Sequence, residues 1–154
     1  MTDILENLNA AKIAAMKAKI SVDEENRPTV ELRLEVLRSL IGEIDRDSKE
    51  KKPRGVLAVL KSEQAKRLDS VDIYAKAGEN ARAEKEQAEA SIIAEFLPKS
   101  ASEAELKDFV SDFVAANGLA GGGGRAVGQV MSALREKFEN FDGKLASTIA
   151  KSAV

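Results

Sequence analysis

The chain contains no cysteine, no histidine and no tryptophan. Each absence removes chemistry. Without Cys there is no disulfide, no thiolate zinc site and no thiol nucleophile. Without His there is no imidazole base for a hydroxyl nucleophile and no imidazole metal ligand. A metal site would have to be built from carboxylates alone, a donor set suited to Mg or Ca. Neither a metal, a cofactor nor a catalytic residue is expected. Aromatic residues make up 4% of the chain, so a core has to come from Leu, Ile, Val, Ala and a few Phe. Three prolines leave long stretches unbroken. No apolar run is long enough to span a bilayer, and Asp3 and Glu6 fall in the first turns. The expectation is a cytoplasmic protein with neither signal peptide nor membrane contact.

What is present favours helix. Charged residues make up 32% of 154, with Ala, Glu and Lys abundant, and no strand-like alternation occurs. Residues 3–20 read as a first helix with Thr2 or Asp3 as cap. Residues 21–27 read as a loop, and Pro28 as the opening of a second helix. Val30, Leu34, Leu37, Ile41 and Ile44 then repeat at 4-3-4-3 spacing, with Leu40 beside them. Pro53 is expected to open a third helix whose face is Leu57, Leu60, Leu68, Val71 and Tyr74, interrupted by Gln64. Ala77-Gly78 should end it. A fourth helix is expected from Asn80 to Phe96, polar in its first half and stopped by Pro98. Both Ser100 to Glu103 and Ser102 to Glu105 fit a capping box opening the next helix. Leu106, Phe109, Val110, Phe113 and Val114 form its stripe, which stops at Asn117-Gly118. Val127, Val130, Met131, Leu134 and Phe138 make a sixth helix. Asp142 caps a seventh that carries Leu145, Ile149 and Ala150. The fold class expected is all-α. It comprises an N-terminal helical domain, residues 1–98, followed by a small three-helix bundle, residues 99–154.

Four features compete for function. Gly121 to Gly124 beside Arg125 could expose backbone N–H groups to an anion. No phosphate-loop pattern fits, and a flexible linker is the alternative. From Lys49 to Arg67 there are seven basic residues against Glu50 and Glu63, a nucleic-acid face or a solvated helix surface. Lys66 and Arg67, two turns before Tyr74, could form a polar site, or Tyr74 could simply cap the core. Glu84, Glu86, Glu89 and Glu95 read as solubilising surface.

Four segments in order resemble the GatB/YqeY family, small helical proteins related to the tail of the B subunit of tRNA-dependent amidotransferases. They are Leu34–Ile44; Lys66–Ser70 with Tyr74–Gly78; Glu84–Leu106, including Phe96-Leu97-Pro98; and Val127–Met131 followed by Asp142–Leu145. The resemblance implies an accessory tRNA-binding module, with Arg125 and Lys144 at the inter-helix turns touching phosphates together with Arg67, Lys66 and Arg38. The family is commonly described as carbon–nitrogen ligase with glutamine as amide donor, though no catalytic apparatus is evident in this chain. The alternative is a protein-interaction module with neither RNA binding nor catalysis, its partner drawn from the translation machinery. From Lys99 onward seven basic residues balance seven acidic ones, so the tail is neutral.

Overall fold

The computed structural model describes residues 3–154 as seven helices, with no strand among them. They are α1 (Ile4–Ser21), α2 (Arg27–Ser48), α3 (Val56–Lys76), α4 (Asn80–Ala94), α5 (Glu103–Asn117), α6 (Gly123–Lys137) and α7 (Gly143–Ala153). The all-α class is thus the observed one. The helices fall into two compact units that meet at the Leu97–Pro98 bond.

In the first unit α1 to α4 surround a core of Leu8, Leu34, Leu37, Leu40, Val59, Leu60 and Ile93. The 4-3-4-3 stripe supplies the centre of it: Leu34, Leu37, Leu40 and Ile44 are buried, and Ile41 packs alongside. Asp3 starts α1 by accepting from the Leu5 N–H at 2.9 Å; Thr2 lies outside the described residues. Helix α2 begins at Arg27, one residue before Pro28.

The third helix departs from expectation. It starts at Val56, three residues after Pro53. The cause is non-local: the Asp47 carboxylate accepts from the N–H groups of Arg54 at 3.1 Å and Gly55 at 3.0 Å, pinning the chain just before the first turn. Gly55 takes φ 96°, which favours glycine. The expected apolar face thins along the helix, with Leu57, Val71 and Tyr74 half-buried. Val59, Leu60 and Glu63 are buried, whereas Leu68 is 40% exposed and the neighbouring Ile73 66% exposed. Helices α3 and α4 therefore form a hairpin whose far half carries little core. At its near end α4 stops at Ala94, before Phe96.

In the second unit α5, α6 and α7 pack mutually around Leu106, Val110, Val130, Leu134, Ala146 and Ala150. Of the two candidate capping boxes, Ser102–Glu105 forms: Ser102 Oγ accepts from Glu105 N at 3.1 Å, and Glu105 Oε1 accepts from Ser102 N at 3.3 Å. Gly118 closes α5 at φ 62°. Asp142 Oδ1 accepts from Lys144 N and Leu145 N at the start of α7. Phe109 stacks on Phe113 and meets Phe138 edge-on, with centroids 5.9 and 5.7 Å apart. Buried Asn140 ties the ends of this unit together, its amide donating to Pro98 O at 3.0 Å while its carbonyl accepts from Ala101 N at 2.9 Å.

Candidate nucleic-acid interface

The residues expected to touch phosphate are in different situations. Arg67 is turned inward, 16% exposed, with its guanidinium on Glu63 at 2.5 Å and on Glu89 at 3.6 Å. Lys66 reaches the same Glu63 at 3.0 Å. Arg38 is exposed on α2, one turn beyond Glu35. No polar site joins Arg67 to Tyr74: the ring of Tyr74 instead lies 5.8 Å from the guanidinium of Arg82 on α4.

The basic run from Lys49 to Arg67 is largely neutralised by its own surroundings. Lys49 pairs with Asp45 at 2.7 Å and Arg54 with Asp47 at 3.2 Å. Lys66 and Arg67 pair with Glu63.

Glu89 corrects the reading of Glu84, Glu86, Glu89 and Glu95 as solubilising surface. Its side chain is 14% exposed and faces Arg67 across the hairpin. Burial, then the charge of Glu86, pushes its carboxyl above the ordinary glutamate value; Arg67 and Lys85 act in the opposite direction, and Glu35 adds to the rise. Glu63 behaves oppositely. Burial works to raise it, but the hydrogen bonds from Lys66 and Arg67 together outweigh burial and hold it below the ordinary value. Asp47 is also held low, first by the Gly55 N–H against the opposing effect of burial, then by Arg54. In sequence, Glu63 is detectable only as a polar residue three positions after Leu60. Glu89 is detectable only as lying four positions before Ile93. Neither signal identifies a partner.

The three-helix unit separates the remaining two candidates. Arg125 lies in the first turn of α6 and Lys144 in the first turn of α7. These helices are antiparallel: Gly123, Gly124 and Val127 share a groove with Lys151 and Val154 at the other end of α7. Lys144 is therefore beyond Lys151 by seven residues, about 10 Å along the helix. Arg125 and Lys144 occupy opposite ends of the bundle.

The glycine run is built into α6 in part, not a linker throughout. Gly123 and Gly124 are its first two residues, and no side chain caps its N-terminus. Arg125 stands on the α5 side of this turn in a groove with Asn117, Gln129 and Ser132, and Lys151 stands on the α7 side.

The family model of YqeY-like proteins matches residues 5–154, nearly the whole chain. The chain belongs to the YqeY-like family. No curated protein matches it. In this YqeY-like protein, no described helix is long and apolar enough to cross a membrane. No group of three or more carboxylates among the described residues is arranged to hold a metal ion.

Proposed function

We propose that this YqeY-like protein is a non-catalytic accessory module that binds RNA, with tRNA as the nucleic acid suggested by the family's relation to the amidotransferase tail. What supports the reading is the start of α6: backbone N–H groups without a side-chain cap, Arg125 on one side and Lys151 on the other. Helix N-termini and basic side chains are both suited to phosphate oxygens. Arg38 and Lys66 are secondary candidates, and Lys144 would act as a separate contact. Arg67 would contribute by holding the α3–α4 hairpin rather than by meeting phosphate. The amide-transfer label is not carried over, because each perturbed carboxylate has a structural cause: Glu63 is held low against burial by its Lys66 and Arg67 partners, Asp47 by the Gly55 and Arg54 N–H groups, and Glu89 is raised by burial and the charge of Glu86.

Filter binding of the pure protein to total tRNA over rising salt is the test. Arg125→Glu is expected to lower affinity several-fold at low salt. Unchanged affinity in that variant overturns the assignment. A second reading, a protein-interaction module, is favoured by a groove of about 750 Å³ between α5 and α7 whose walls are mainly apolar.

A further inference from the structure

The groove between α5 and α6 gathers polar side chains around an aromatic ring. Arg125, Gln129, Ser132 and Glu136 follow at spacings of four, three and four, one stripe of α6, and all four are exposed. Neither Arg125 nor Glu136 is in an ion pair among the described residues. Across from them α5 contributes half-buried Phe113 and exposed Asn117. The Asn117 amide donates to Phe113 O at 2.9 Å, which leaves its carbonyl oxygen for another donor. The space amounts to about 540 Å³, within the range of small-ligand sites. Gly128 also lines it. Glycine inside a helix is less stable than alanine, and here nothing in the fold requires it. Gly128 has no positive φ, and a Cβ on it would meet nothing within 4 Å. What the missing side chain provides is open space against bare helix backbone, beside Arg125.

We infer that this groove takes one unpaired nucleotide of an RNA, its base against Phe113 and Gly128 and its phosphate on Arg125. The inference rests on the RNA reading above and names the part of the RNA that the Arg125 site takes. An unstacked base offers a flat face to an aromatic ring and a hydrogen-bonding edge to polar side chains. The Gln129 amide, the Ser132 hydroxyl and the free Asn117 carbonyl oxygen supply both donors and acceptors for that edge. A base stacked inside a duplex offers neither its faces nor its pairing edge. Glu136 sets the length. It stands eleven residues from Arg125, about 16 Å along the helix, and its carboxylate opposes a second phosphate. The groove therefore admits a single nucleotide, not a strand laid along it.

Fluorescence anisotropy with the full chain tests it, using a labelled single-stranded RNA oligonucleotide and the same strand annealed into a blunt duplex. The single strand is expected to bind about tenfold more tightly than the duplex, the worth of one stacked base. Gly128→Leu fills the groove from an exposed position with free space around it. It is expected to abolish that preference and to leave duplex binding unchanged, since Arg125 is untouched. Phe113→Leu keeps an apolar side chain but removes the ring, and is expected to weaken single-strand binding about fivefold. Thermal melts confirm that both variants are folded. Equal wild-type affinity for the two forms overturns the inference, as does a single-strand preference that survives Gly128→Leu. If either result comes with tRNA binding that Arg125→Glu still weakens, the groove assignment falls and the RNA reading stands. If Arg125→Glu leaves tRNA binding unchanged, both fall together.

Discussion

Arg67 holds two acidic side chains from different helices, Glu63 on its own α3 and Glu89 on α4. Removing one partner from a buried ion group leaves the others desolvated and unpaired, at a cost of about 3–5 kcal/mol when burial is complete. Here water reaches the rim and Lys66 remains on Glu63. Arg67→Ala should therefore lower stability by about 2 kcal/mol, read from urea midpoints. A loss below about 0.5 kcal/mol would make the group an ordinary surface pair. The two glutamates should also titrate in opposite senses. The stabilisation from Glu63 is present above the unfolded glutamate value and is lost as pH falls through its lower folded value. That from Glu89 is full below the unfolded value and is lost as pH rises through its higher folded value. Glu63→Gln should thus lower Tm near neutral pH, with the deficit fading in acid. Glu89→Gln should raise Tm near neutral pH, with the gain fading in acid. Thermal melts at both pH values check the pair, and equal signs for the two variants would contradict the assignment. None of this is legible in the sequence, where a glutamate paired across a hairpin and one in water look alike.

At the level of helices, the signals that can be read are local. Asp3, Ser102, Asp142 and Gly118 each act within a few residues of themselves, and each sits where its type and spacing place it. The start of α3 escapes such a reading because the group that fixes it, Asp47, is seven and eight residues away from the N–H groups it holds. The start of α6 escapes it for another reason. A run of glycines carries no periodicity, so nothing in it separates linker from helix. Two glycines of this region should respond in opposite directions. A Cβ on Gly122 would lie 2.7 Å from the Ala126 Cβ and 2.9 Å from the Leu119 carbonyl oxygen. Gly122→Ala is expected to cost about 1–3 kcal/mol, since a backbone atom has to shift. Gly128 lies inside α6, where an added methyl group would meet nothing within 4 Å. Gly128→Ala should stabilise by about 0.5–1 kcal/mol through helix propensity and a less flexible unfolded chain. Denaturation midpoints of the two variants check both signs.

Over the whole molecule the distribution of charge limits how RNA could be held. The net charge is −2, and the basic and acidic residues from Lys99 onward are equal in number. The most basic stretch, Lys49 to Arg67, has four of its cations engaged by Asp45, Asp47 and Glu63. Binding through Arg125 and Lys151 would neutralise only two phosphates or so. Each neutralised phosphate contributes about −0.7 to −0.9 to the slope of log K against log salt, so a slope of about −2 is expected. Arg125→Glu should make that slope shallower by about one. Lys144, at the other end of the three-helix unit, should act independently, its effect adding to that of Arg125→Glu in the double variant. A slope several times steeper would require many simultaneous phosphate contacts, and would overturn the site at the start of α6 in favour of a broader surface.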